Sequence, residues 1–283
     1  MTIVHEFTGY CMEQEDREAL ASQCIEFDVM SLVCGDVPDT RGIKDMMRRD
    51  DQGRINSCGG FGMAHAAQVA MFNQTQTWRT FNPMWSYRRG QIPSNIRGDH
   101  GVTISGLIKA AMSDGVLPED FDNDGQVETK YREDYNMSFP SESAAIARQW
   151  LIGYSIQLDN FDKMLRFLQS GQGAIVIGGP WGNWSPNSQG IADNFRGGGG
   201  GHARAYIDWI TINGQVYLVE ANSHYKSYGD NGFAYHSKRF VDAQCRDQWF
   251  VATGVSDLKH PVVRRVLTRD EIIARIFSRG LVS

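Results

Sequence analysis

Cys58, His202 and Asn222 lie far apart in the chain but have the side-chain types of a nucleophile, a base and a group that orients the base. Cys58 sits in Asp51-Gln-Gly-Arg-Ile-Asn-Ser-Cys58-Gly-Gly-Phe-Gly-Met-Ala-His-Ala-Ala-Gln68, where a loop runs into a helical pattern. Met63 to Phe72 forms helix readily, so Cys58 is expected at the mouth of a helix reaching about Asn73. Free N–H groups and the positive end of the helix dipole meet there, and both favour a thiolate. Gln52, six residues upstream, can aim its amide at the same spot; with the Cys58 N–H it would make an oxyanion hole. A lone cysteine before an apolar run is commonly just a small buried hydrophobe, so the assignment depends on the far end of the chain. His65 lies two turns along the same helix, too far to serve the thiol, and is expected to be structural.

His202 follows Gly197–Gly201 and opens a strand pattern, residues 203–212. Asn213-Gly214 is a strong hairpin signal, and a second strand, 215–220, leads to Asn222. If the two strands pair, His202 and Asn222 emerge at the same end of the sheet. Asn222 then fixes one imidazole nitrogen and leaves the other for a thiol.

The elements that must position these residues fall into two halves. A first stretch, 13–23, is acidic and helix-prone, and a short helical piece is expected over 42–47. This N-terminal extension is expected to pack against the core; an inhibitory segment or a docking arm are the alternatives. Phe81–Tyr87 leads to a basic loop, Arg88-Arg89-Gly90. Gly98-Asp-His-Gly101 precedes a second helix from Val102 to Met112, stopped by Gly115 and Pro118. Asp122-Asn-Asp-Gly resembles the start of a calcium loop but lacks its spacing, so a solvated turn is expected and no metal. Asp159 is positioned to cap a helix over 160–170, ended by Gly171, and strands are expected at 174–178, 233–236 and 248–252. Helices first and an antiparallel sheet second give an α+β fold. Residues 268–271, Thr-Arg-Asp-Glu, form a capping box before an apolar stripe, so a C-terminal helix is expected to dock on the body or on a partner.

Composition narrows the function. The chain has 283 residues, 41% hydrophobic and 22% charged, enough for an ample core. A net charge of −5 argues against nucleic acid, and no apolar run approaches the ~20 residues needed to cross a bilayer. Residues 1–7 lack the basic and apolar blocks of a signal peptide, so a cytoplasmic location or a place in a larger assembly is expected. Five cysteines, an odd number without zinc-type spacing, fit a reducing compartment and a free thiol.

Taken together, these residues resemble the papain-like cysteine peptidases. Gln52-Gly-x-x-x-Ser57-Cys58 has that family's Gln-to-Cys spacing; Gly201-His202-Ala203 is similar to its histidine motif. Asn222-Ser223, followed by Tyr228-Gly-Asp-Asn-Gly-Phe233, is similar to its asparagine strand and turn, and Gly98-Asp-His-Gly101 to its substrate-backbone loop. His202 follows Cys58 by 144 residues (202 − 58), within the ~130–150 of such enzymes, and Asn222 by 164 (222 − 58), a little beyond it. The resemblance runs from about Pro38 to Ala252 and implies a two-lobed fold: a helical left lobe, about 38–150, whose central helix starts at the nucleophile, and an antiparallel β-barrel-like right lobe, about 151–253. Residues 1–37 would be an extension and 254–283 a helical tail. It further implies hydrolysis of peptide or isopeptide bonds without a cofactor. Cys58 would attack, His202 would carry the proton, Asn222 would orient His202, and Gln52 would serve the oxyanion. His100, Gly101 and Gly201 would line the substrate subsites. Four departures stand out: Gly59 follows the nucleophile where an aromatic is usual, Ile55 replaces a disulfide cysteine, His224 replaces the tryptophan that shields the Asn–His bond and leaves it less shielded, and the N-terminal extension is much shorter than the family's inhibitory propeptide. A weakly active or inactive docking scaffold, a cell-wall peptide amidase and an acyl transferase remain as alternatives.

Overall fold

The computed structural model describes residues 9–32, 34, 37–121, 134–136, 138–182, 184–224 and 227–259. The acidic 122–133 turn and the C-terminal helix expected after residue 268 lie outside the described residues. Eight α-helices and seven strands are described: α1 (Arg17–Gln23), α2 (Ile43–Met46), α3 (Cys58–Thr75), α4 (Pro83–Gln91), α5 (Ile104–Ser113), α6 (Ser143–Ala147), β1 (Leu151–Gln157), α7 (Phe161–Gln169), β2 (Gly173–Trp181), β3 (Ile191–Ala192), β4 (Gly200–Ile212), β5 (Gln215–Ala221), β6 (Phe233–Ser237), α8 (Lys238–Cys245) and β7 (Val251–Lys259).

Helix α3 is the axis of the molecule. Every residue from Cys58 to Met71 is buried, and the helix has no polar face. Its small residues let it lie directly on backbone: a Cβ on Gly62 would come within 2.9 Å of the Arg204 carbonyl oxygen. One apolar core joins α3, α4 and α5 to one face of the sheet. A second core joins the other face to α7 and α8. The sheet is thus the middle of three layers.

The strand order is β1-β7-β2-β4-β5-β6-β3, antiparallel except for the short β3–β6 pair. The barrel-like right lobe is therefore corrected to an open seven-stranded sheet. The edges are β1, over which α5 packs, and the two-residue β3, too short to pair onward. The 213–214 hairpin forms as expected, with φ of 52° at Asn213 and 78° at Gly214. A bulge between Tyr206 and Asp208 shifts the β4–β5 register.

Three local expectations change. Arg88, Arg89 and Gly90 belong to α4, not to a loop: Asn82 caps that helix through Trp85 N–H, and Pro83 is pre-set for its first turn. The α7 cap is Asn160, which accepts from Lys163 N–H, while Asp159 pairs with the Lys163 ammonium at 2.9 Å. The last strand runs to Lys259 because it inserts between β1 and β2 and is paired on both sides.

Candidate active site

Cys58 opens α3 and its side chain is fully buried. Its sulfur accepts a hydrogen bond from Ala203 N–H at 3.3 Å, across the junction of α3 and β4. The residue before Ala203 is His202, so the helix mouth and the histidine strand meet at the sulfur. His202 Nε2 lies 3.0 Å from Asn222 Oδ1. An amide oxygen only accepts, so Nε2 carries the proton and Nδ1 is the basic nitrogen. His202 Nδ1 makes no hydrogen bond among the described residues. Asn222 is held in turn: its Oδ1 also accepts from His224 N–H at 3.0 Å, and its own N–H donates to Gly232 O. His202 and Asn222 are thus in direct contact, and the Cys58 sulfur meets the backbone of the residue after His202.

Gln52 joins the same place through the loop before α3. Its N–H donates to Ser223 O at 2.8 Å and its Oε1 accepts from the Ser223 hydroxyl at 2.7 Å. One Nε2 hydrogen goes to Ile55 O at 2.8 Å. The amide therefore ties the loop of the nucleophile to the residue next to Asn222. Asp99 steadies the neighbouring loop, accepting from Asn56 N–H and the Tyr87 hydroxyl, both at 2.9 Å.

Gly101 and Gly201 are buried and face no open groove, while His100 is exposed and meets the strap only through its carbonyl. A strap formed by residues 9–12 of the same chain lies on the two glycines. Tyr10 N–H donates to Gly201 O, Val102 N–H to Gly9 O, and Cys11 N–H to Val102 O, at 3.0–3.2 Å. Cys11 Sγ donates to His100 O, and a Cβ on Gly101 would meet Gly9 O at 2.7 Å. Gly9 itself rests on the nucleophile: a Cβ there would stand 2.6 Å from Cys58 Sγ and 2.9 Å from Asn56 O. The Tyr10 ring is buried beside Ile104 and Gly178. Farther along, Glu15 clamps the strap by accepting from Ile104 and Ser105 N–H at the start of α5. The extension packs, as expected, but it packs across the site.

Burial controls the protonation of the pair. It pushes the Cys58 thiol up to about 12, against the opposing pull of the Ala203 and Gly59 N–H groups. Burial also drives His202 well below its ordinary range, and the nearby His224 and Arg204 add to that. Under the strap both groups are neutral.

Sequence reasoning singled out His224 but missed Trp181. His224 stacks on His202 at 4.4 Å with a 20° interplanar angle. Trp181, from the end of β2, packs edge-on against His202 at 4.6 Å and also touches His224. The Asn–His bond, expected to be less shielded, is covered after all, by a tryptophan from another strand. Only the pairing of Trp181 with Gly200 reveals this. Gly59 also gains a reason: a Cβ there would strike Val102 and Leu107, which fill the space an aromatic would need. Among the described residues, no group of three or more His, Cys, Asp or Glu could hold a metal, and no helix is long and apolar enough to cross a membrane.

No protein-family model matches the chain, and neither does any curated protein sequence. Solved structures do. Xylellain, a cysteine protease from Xylella fastidiosa, superposes with a TM-score of 0.61 over 93% of this chain and 100% of that one, at 16% identity. The Amb a 11 cysteine protease of ragweed pollen, in its proform, gives 0.65 over 89% of this chain and 75% of its own, at 10% identity. Bromelain from Ananas comosus gives 0.55 over 78% and 99%, at 10% identity. At such identities the likeness is one of backbone architecture: the chain has the fold of the papain-like cysteine proteases.

Proposed function

We propose that the chain is a cysteine peptidase that hydrolyses peptide bonds, held latent by its own N-terminal strap. The carrying observation is the contact between Cys58 Sγ and the backbone N–H next to His202, with His202 oriented by Asn222. Cys58 attacks the scissile carbonyl carbon as its proton passes to His202 Nδ1. The carbonyl oxygen becomes an oxyanion, stabilised by the Cys58 N–H and by a Gln52 Nε2–H. His202 then gives its proton to the leaving amine, leaving a thioester on Cys58. Water attacks the thioester with His202 as base, releasing the acid and the thiol. Asn222 keeps Nδ1 as the basic nitrogen throughout, and Trp181 and His224 keep water off that bond.

Latency follows from the same geometry. A neutral thiol buried against Gly9 can neither meet a substrate carbonyl nor ionise. Lifting the strap hydrates the pair, lowers the thiol's pKa and raises that of His202, so a thiolate–imidazolium pair becomes accessible. Activity should then follow a bell in pH, as the pair forms and as His202 loses its proton.

An epoxide thiol trap tests this. The full chain should label slowly and a Gly9→Val variant quickly, at Cys58, with labelling abolished by His202→Ala. Cleavage of a peptide library by the Gly9→Val variant, read by mass spectrometry, tests turnover. The complete burial of the sulfur favours one rival, a docking scaffold without turnover. That rival stands if Gly9→Val opens the cleft, as limited proteolysis of residues 9–12 would register, yet neither labels nor cleaves.

A further inference from the structure

Behind His202 and Asn222 lies a buried charged stripe. His202, Arg204 and Tyr206 alternate along β4 with Ala203 and Ala205 and share one face. Glu220 on β5 pairs in register with Tyr206, and His236 on β6 lies beyond it. Arg204 is 1% exposed, Glu220 and His236 0%. Glu220 Oε2 lies 3.2 Å from Arg204 Nε and 3.1 Å from His236 Nε2. The Arg204 guanidinium also stacks over Trp181 and Trp184, at 5.0 and 5.7 Å. Tyr206 Oη sits between His236 Nδ1 and Gln244 Oε1 and closes the network. Burying such a pair is costly relative to apolar side chains of the same size, so stability alone does not account for it.

The other carboxylate oxygen shows what the stripe does. Glu220 Oε1 accepts from Asn222 Nδ2 at 2.7 Å and from the Tyr228 hydroxyl at 3.2 Å. An amide can be turned by 180° at little steric cost, which exchanges its oxygen and its NH₂. An ionised carboxylate only accepts, so a turned Asn222 would set oxygen against oxygen at Glu220. The amide must then keep its NH₂ toward Glu220 and its oxygen toward His202 Nε2. Burial raises the Glu220 carboxyl above its ordinary value, against the opposing pull of the Arg204 guanidinium and of the Asn222 and Tyr228 hydrogen bonds; its Oε1 accepts from Asn222 in either protonation state as long as any proton sits on Oε2.

We propose that Glu220, clamped by Arg204, is a positioning residue that locks the Asn222 amide and thereby holds His202 in the Nε2–H tautomer, leaving Nδ1 for the Cys58 proton. The lock rests on the peptidase reading for its purpose but not for its measurement.

The test is the ¹⁵N spectrum of the histidine-labelled full chain, with His202 assigned by the signal lost in His202→Gln. The wild type should show His202 as a single Nε2–H tautomer. Glu220→Gln can donate as well as accept, so it should raise the Nδ1–H form to roughly a third or more of the population, whereas Glu220→Asp should retain one tautomer. If Glu220→Gln fails to fold, Arg204→Met with Glu220→Leu removes the lock and leaves no lone charge; it should mix the tautomers too. A single Nε2–H tautomer in the folded lock-free variant overturns the proposal. In turnover, Glu220→Gln should lower kcat about 10- to 100-fold at unchanged KM, and cost nothing further in an Asn222→Ala background. A wild type with the expected tautomer but without turnover under any strap condition would sink the peptidase reading and leave the lock standing.

Discussion

The two faces of β4 have opposite chemistry. Ala203, Ala205 and Ile207 meet α3 in the apolar core. His202, Arg204 and Tyr206 face a buried stripe of charge and aromatic rings. The apolar face sets a distance: small side chains let the strand approach the helix until Ala203 N–H touches the sulfur. The polar face sets an orientation, since it decides which way an amide and an imidazole point. Packing is enough for the first task. The second needs groups that distinguish donor from acceptor, which apolar contacts cannot do.

The largest effect should come from the polar face. In the Gly9→Val background, His202→Ala should lower kcat/KM on the order of 10³-fold or more, because the thiol then has no proton acceptor. If activity survives, the polar face has no catalytic part. The apolar face should answer in stability. Gly62→Val would force a side chain onto the Arg204 carbonyl, 2.9 Å from the new Cβ, where backbone cannot give way. We expect a loss of about 1–3 kcal/mol, read by denaturant unfolding; an unchanged midpoint would mean that α3 and β4 are not held at contact distance.

A smaller effect sharpens the comparison at the strap. Gly9→Val should speed alkylation of Cys58 about tenfold at pH 8, equal to ~1.4 kcal/mol against the seated strap. The sign follows from burial, which holds the thiol near 12 and favours its neutral form. In the native chain the rate should climb only toward strongly alkaline pH; opening the strap should move that climb to lower pH. Identical profiles would show that the strap does not control ionisation.

The smallest effect lies at the rim. Asp230, in the turn after Asn222, bonds the Lys44 ammonium at 2.6 Å, and Lys44 and Tyr235 hold its carboxyl down to about 2 from 3.8. A depressed folded value means that this stabilisation is present above about pH 4 and fades as pH falls toward 2. The pair is partly exposed and screened, so Asp230→Asn should lower Tm slightly at pH 7 and not at pH 2.

Much of this was legible in residue order. The helix that opens at Cys58, the 213–214 hairpin and the common end of the His202 and Asn222 strands each rest on local signals: helix propensity, a turn dipeptide and strand periodicity. Arg88 to Gly90 were misread because a glycine and two charges resemble a loop; the Asn82 cap and Pro83 outweighed them. The barrel-like lobe was inferred from resemblance, and closure depends on how edge strands end, which no local pattern records. Trp181 was invisible as a partner of His202, since the two strands meet only through register; Glu220 lies two residues before Asn222, on the same face of one strand, and was legible in the sequence but passed over.

By itself, the sequence determined the kinds of atoms available and the short elements that present them: a sulfur at a helix mouth, an imidazole and an amide on neighbouring strands. Tertiary structure alone decided that residues 9–12 lie on the sulfur and that a buried carboxylate reads the Asn222 amide. The first outcome depends on contacts between residues tens of positions apart; the second joins neighbours two positions apart, but Arg204, from another strand, buries them, and burial sets the charge a group carries.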